Sequence, residues 1–178
     1  LVRSFNKVLE HGKFILGPEV ELLEKKIATK LNIKYVVAVS SGSSALYLSL
    51  KSLNFKIGDE IITTPLSWII SSNAIIEAGA SPVFVDIGED FNIDPKSIES
   101  AINKKTKAIL LVHYAGQMCK IDQIKKIASK YNLYIIEDAA QAFDANYKGI
   151  SVGQGTTIAS LSFNSMKVLN SFGEAGAI

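Results

Sequence analysis

Residues 36–50, VVAVSSGSSALYLSL, change character halfway through. The first part belongs to a β-branched run, 35–39, which predicts a buried strand. The second part spaces Leu46, Leu50 and Leu53 on one helical face, predicting a helix over 43–53. Between them lies a turn of serine and glycine. A strand, a short polar turn and a helix form the repeating unit of a parallel sheet, and the rest of the chain repeats it.

Helices are expected over 2–10, 19–31, 68–78 and 121–131, with Pro18 at the start of the second. Asp94 followed by Pro95 reads as an N-cap and a proline at the first helical position, opening a helix that runs to residue 102. Short apolar runs at 60–63, 81–86, 108–112, 133–137, 158–163 and 175–178 read as strands. The expectation is a three-layer α/β/α fold with a mostly parallel sheet, built as one domain from residues 1–178.

The chain has 178 residues, 48% apolar and 20% charged, enough to bury a core and unlike a disordered segment. A formal charge of +2, with basic residues spread out in short pairs such as Lys25–Lys26 and Lys104–Lys105, disfavours nucleic acid or an anionic membrane as partner. The lone Cys119 allows no internal disulfide and fits a reducing cytoplasm. The apolar runs are strand-sized, well short of the ~20 residues of a membrane helix. The first residue is Leu1 and the last, Ile178, lies in an apolar run, so a piece of a longer protein is expected.

In such sheets ligands bind beyond the carboxyl ends of the strands. That rule selects residues 40–44, 64–68, 113–117, 138–141 and the segment around Lys167. The turn with Gly42, Ser43 and Ser44 offers a close backbone approach, hydroxyls and a helix N-terminus, which together hold an anion. It lacks the spacing of a P-loop or of a dinucleotide-binding turn. In YIIEDAAQAF, Glu137 and Asp138 end an apolar strand, where a partly buried carboxylate needs a cationic partner, such as a protonated pyridine nitrogen. Asp138 could equally cap the next element. Trp68, at another strand end, is either a plate for a planar ligand or core packing. Lys167, flanked by Met166 and Val168, is either a surface lysine or an amine held in a dry pocket, where it could condense with an aldehyde. An anion cradle, an aromatic plate, a carboxylate and a lysine are the parts that hold pyridoxal 5'-phosphate (PLP).

Several stretches carry a resemblance: HGKFILGPEVELLEKKIA at 11–28, VSSGSSALYLSL, LVHYAGQMCKIDQI, IIEDAAQAFDANYKGISVG, and SFNSMKVLNSFGEAGAI at 162–178. The chain resembles the DegT/StrS family of PLP-dependent nucleotide-sugar aminotransferases, of aspartate aminotransferase fold type I. The resemblance implies the large domain of such an enzyme, with the C-terminal small domain missing. It implies Lys167 as the lysine that carries the cofactor and Asp138 as the partner of the pyridinium nitrogen. Gln141 would lie near the ring's O3′, and Trp68 would stack on the ring. Gly42, Ser43, Ser44 and Ser162 would hold the phosphate, while Gly17 and Pro18 would shape the sugar-nucleotide entrance.

The implied reaction moves an amino group from L-glutamate to a keto-sugar nucleotide, UDP- or dTDP-linked, for a surface glycan such as lipopolysaccharide, in a cytoplasmic homodimer. Family members that dehydrate sugars carry histidine at the Lys167 position, so lysine favours transamination. A non-catalytic sensor of the same fold is a further alternative. Many members have threonine at the Ser43 position and proline near Ser165, and these departures leave the chemistry intact.

Overall fold

The computed structural model describes residues 2–178. Two helices come first, α1 (Val2–His11) and α2 (Pro18–Leu31). Strand–helix units follow: β1 (Ala38–Val39) with α3 (Gly42–Ser52), β2 (Glu60–Thr63) with α4 (Ile70–Glu77), and β3 (Ser81–Phe84) with α5 (Pro95–Ala101). β4 (Thr106–Val112) is followed by a 3-10 turn, Tyr114–Gly116, and α6 (Ile121–Tyr131). β5 (Tyr134–Asp138) precedes a small hairpin of β6 (Asn146–Tyr147) and β7 (Ile150–Ser151), then β8 (Ile158–Ser162) and β9 (Gly176–Ala177).

Local chemistry accounts for the helix ends. Pro18 sits at the first turn of α2, where its missing N–H would have no partner anyway. Asp94 caps α5 by accepting from the Lys96 N–H at 3.2 Å. α2 and α6 each stop at an asparagine in the left-handed region, Asn32 (φ 52) and Asn132 (φ 54).

The described residues form a seven-stranded sheet in the order β1-β9-β8-β5-β4-β2-β3. β3, β2, β4, β5 and β8 are mutually parallel, while β9 runs antiparallel to both β8 and β1. Alternate side chains of the central strands feed two apolar layers. Ile61, Ala108, Leu110 and Ile136 pack with Leu46 and Leu50 of α3 and Ile75 of α4. Ile62, Ile109, Leu111 and Ile135 pack with Ile27 of α2, Ile98 of α5 and Ile124 of α6. That is the expected three-layer arrangement. Burying each of these large aliphatic side chains contributes roughly 1.5–3 kcal/mol.

Three local readings need correction. The run 35–39 is not a buried strand: β1 covers only Ala38–Val39, extended by two backbone bonds between Val37 and Ile178, and Tyr35 and Val37 are 73% and 56% exposed. It lies at the sheet edge, where one side has no neighbouring strand to cover it. The helix expected from residue 68 begins at Ile70. Residues 65–69 form a turn instead, closed by the Ser67 N–H bond to the Pro65 carbonyl at 3.0 Å. The β6–β7 hairpin was not foreseen. Its two turn residues, Lys148 (φ 53) and Gly149 (φ 82), both adopt the left-handed region that suits a two-residue hairpin loop.

Candidate active site

The carboxyl ends of the parallel strands open onto one cavity of about 350 Å³, within the ~300–1,000 Å³ range of small-molecule sites. Val112 and Asp138 line it from β4 and β5, and Ser162 from β8. Gly42 and Ser43 face it from the start of α3, Ser67 and Trp68 from the turn after β2, and Lys167 from the loop after β8.

The first wall is the N-terminus of α3. Ser41 is its cap: the hydroxyl accepts from the Ser44 N–H at 3.1 Å, and the carbonyl accepts from the Ala45 N–H at 2.9 Å. The Gly42 and Ser43 amides precede these bonds, so they are the N–H groups left for an anion. Gly42 is required by a close approach. A Cβ there would stand 2.5 Å from Ser162 Cβ and 2.8 Å from Ser162 Oγ. Glycine therefore lets the helix start press against the end of β8, bringing two amides and two serine hydroxyls together. Ser44 does not line the cavity, because its N–H and hydroxyl are both spent on the Ser40–Ser41 cap.

The second wall is the acidic end of β5, where both Glu137 and Asp138 are buried. Glu137 turns away from the cavity. Its carboxylate meets His113 Nε2 at 2.7 Å and accepts from the Gly153 N–H at 3.0 Å and from the Thr156 hydroxyl. His113 Nδ1 accepts from the Cys119 N–H at 3.1 Å, so the ring proton lies on Nε2 and is donated to Glu137. Burial pushes the neighbouring Cys119 thiol up, and the Glu137 charge adds to this, leaving it an inert apolar filler. Asp138 turns into the cavity. It accepts from the Ser71 hydroxyl at 2.7 Å and from the Ala140 N–H at 3.2 Å. Gln141 also lines the cavity, with its Oε1 accepting from the Ala115 N–H at 2.9 Å. Ala115 sits at φ 52, so this bond holds a strained turn and leaves the Gln141 amide N–H₂ free to donate.

The third wall is the loop between β8 and β9. It closes on itself through Phe163 N–H to the Ala175 carbonyl, Ser165 N–H to Gly173, and Ser171 N–H to Phe163. Asn164 organises it, bonding the Met166 N–H at 2.9 Å and the Glu174 carboxylate. Lys167 lines the cavity from this loop but is half-buried, not sealed in a dry pocket. Its neighbours Met166 and Val168 are 88% and 74% exposed, because the loop is braced by its own backbone and no other element among the described residues covers it. Trp68 is 77% exposed at the mouth, so it is not a core residue.

The structure thus brings Gly42, Ser43, Trp68, Asp138, Gln141, Ser162 and Lys167 to one cavity. It does not bring Gly17 and Pro18 there. Gly17 is buried where a Cβ would stand 2.6 Å from the Lys13 carbonyl, and Pro18 starts α2, so local backbone packing explains both. Sequence reasoning missed Ser71, Asn164 and Glu174, and left His113 without a role. No local pattern marks a serine inside a helix as the partner of a carboxylate on another strand.

All 178 residues match the model of the DegT/DnrJ/EryC1/StrS aminotransferase family. The chain is 42% identical, over 98% of its length, to the UDP-2-acetamido-2-deoxy-3-oxo-D-glucuronate aminotransferase of Pseudomonas aeruginosa, of which it covers 49%. It superposes on the crystal structure of Streptomyces venezuelae DesV in complex with a ketimine intermediate with a TM-score of 0.95. The identity is 39%, over 98% of this chain and 47% of that one. With Bacillus subtilis NtdA carrying bound cofactor PMP, the TM-score is 0.92 at 39% identity, over 99% of this chain and 40% of that one. The chain spans about half the length of the curated relatives it matches.

Proposed function

Since this chain belongs to the DegT/DnrJ/EryC1/StrS aminotransferase family, we propose that residues 1–178 form the single PLP-binding domain of an aminotransferase acting on a nucleotide sugar. The acceptor is a UDP- or dTDP-linked keto-sugar, as the names of two relatives support, and the amino donor is L-glutamate, the donor that the name of a third relative gives. The product serves a surface polysaccharide. The observation that carries the reading is that Asp138 and Lys167 line one cavity together with the amides at the start of α3.

The residues present fit the cofactor. The Gly42 approach to Ser162, which any side chain would fill, creates a pocket of donors suited to a phosphate. A carboxylate only 7% exposed that lines the cavity, with one donor on each oxygen, keeps lone pairs for a cationic ring nitrogen. When bound, PLP supplies an aldehyde for amine exchange and a ring that takes up electrons. The chain's own part is positioning and proton transfer. Asp138 would hold the pyridinium nitrogen, Trp68 would lie on the ring face, and the Gln141 amide would donate toward the ring hydroxyl. Lys167 Nζ would hold the cofactor and serve as general base and acid for the proton of the donor's α-carbon.

The open mouth fits a homodimer. Trp68, Met166 and Phe172 are 77%, 88% and 89% exposed around the cavity entrance or on the loop that forms it, and a second copy together with the rest of the protein would cover them. No helix among the described residues is long and apolar enough to cross a membrane, and we place the enzyme in the cytoplasm, where nucleotide sugars are at hand.

The test uses the full-length protein. Borohydride should bleach the bound cofactor's visible band and leave the cofactor's mass fixed to Lys167. Lys167→Ala should abolish transfer from glutamate to a keto-sugar nucleotide. Label on another residue, or normal turnover by the variant, would remove the basis of the reading.

A further inference from the structure

Asp138 is held by one hydroxyl from α4, an element that carries no assigned site residue, and that hydroxyl is backed by a second. Ser71, in the first turn of α4, is 2% exposed and donates to Asp138 Oδ2 at 2.7 Å. Its single proton is spent there, so the 2.7 Å contact between Ser71 Oγ and Ser67 Oγ has Ser67 as donor. Ser67 in turn lies beside Trp68, in the turn closed onto Pro65. One directed chain, Ser67 to Ser71 to Asp138, therefore joins the turn that presents Trp68 to the carboxylate at the end of β5.

We infer that Ser71, supported by Ser67, is a positioning residue that holds the Asp138 carboxylate aimed at the cofactor ring and ties its placement to that of Trp68. This rests on the reading above. Two physical points carry it. The bond fixes Oδ2 while the Ala140 N–H fixes Oδ1, so the carboxylate plane cannot rotate freely. Ser71 and Asp138 are buried, and hydrogen bonds in series strengthen one another away from water, so losing Ser67 weakens the bond that Ser71 makes. Ser71 itself does not line the cavity, and it acts only through Asp138.

The experiment uses the full-length protein and four variants: Ser71→Ala, Ser71→Thr, Ser67→Ala and Ser72→Ala. Ser72 is the control, since its hydroxyl bonds the Ile69 carbonyl just before the helix, at 3.0 Å. PLP affinity is measured by titration, ring orientation by the visible circular dichroism of bound PLP, and folding by the melt of the cofactor-free protein. Ser71→Ala should weaken PLP binding by about tenfold or more, as expected for losing a hydrogen bond to a charged group. It should also diminish the dichroic band and lower kcat with the sugar KM unchanged. Ser71→Thr keeps the hydroxyl and should restore both. Ser67→Ala should shift both readouts in the same direction by less, and it carries the test if Ser71→Ala does not fold. Ser72→Ala should match the parent.

Unchanged PLP affinity and dichroism in Ser71→Ala, with or without a lower melt, would make the serine pair packing only and overturn the inference. So would a Ser71→Thr protein as weak as Ser71→Ala, or a parent-like Ser67→Ala. Failure of the parent protein to bind PLP would instead strike the functional reading itself.

Discussion

Gly42→Ala tests the geometry of the anion cradle most directly. The added methyl would stand 2.5 Å from Ser162 Cβ, 2.8 Å from Ser162 Oγ and 3.2 Å from Ser162 Cα. Carbon atoms pack at about 3.5–4.0 Å, so the start of α3 and the end of β8 must separate by roughly 1 Å. Overpacking of this kind costs about 1–3 kcal/mol. A helix gains up to ~1 kcal/mol when alanine replaces glycine in its interior, and less at this first position, so the net change remains a loss. For a protein of this size each 1 kcal/mol shifts the melt by about 2–4 °C. The separation also moves the Gly42 and Ser43 amides relative to Ser162, and misplacement on that scale weakens a binding or catalytic constellation by up to about a hundredfold.

Urea unfolding and PLP titration of the full-length protein measure the two effects. Adding Ser162→Gly to Gly42→Ala removes Cβ and Oγ together and should return most of the lost stability, giving a coupling energy that a double-mutant cycle reads directly. If Gly42→Ala alone unfolds at the parent's urea midpoint and binds PLP as tightly, the close approach does not shape the cradle and the reasoning fails.

Two more outcomes follow from the polar contacts. His113→Ala leaves the Glu137 carboxylate, 1% exposed, without its ring donor, and should cost at least about 1.5–3 kcal/mol in urea unfolding; a loss under ~1 kcal/mol would mean the pair is not the brace described. The Lys130 ammonium, with the Tyr131 hydroxyl, holds the Glu99 carboxyl below the ordinary glutamate range. Because the folded value is the lower one, the pair's contribution is present above the ordinary glutamate range and is lost as pH falls through the lowered value. Lys130→Met should return the Glu99 titration, followed by carboxyl NMR, toward the ordinary value, with little change in the melt since the group lies fully at the surface.

Much of the architecture was legible as local pattern. α6 and β2 match their expected spans to the residue, and the Asp94–Pro95 cap opens α5 as read. Periodicity, capping and proline placement act within a few residues, so the chain advertises them directly. Tyr35 and Val37 misled for the same reason: their composition suits a covered strand, but whether a strand is covered depends on its place in the sheet. Trp68 shows the converse, as a residue assigned to a helix that a proline-closed turn leaves at the cavity mouth.

By itself the sequence determined most of the strands and helices, that the sheet is mainly parallel, and which strand ends hold the serine turn, the acidic pair and the lysine. Only the tertiary structure decided how those groups meet. The order β8-β5-β4-β2 sets Ser162 against Gly42, Ser71 against Asp138, and His113 against Glu137. Each of these contacts spans residues far apart in the chain, on elements whose neighbours are chosen by burial of both sheet faces at once, and no window of local sequence carries that choice.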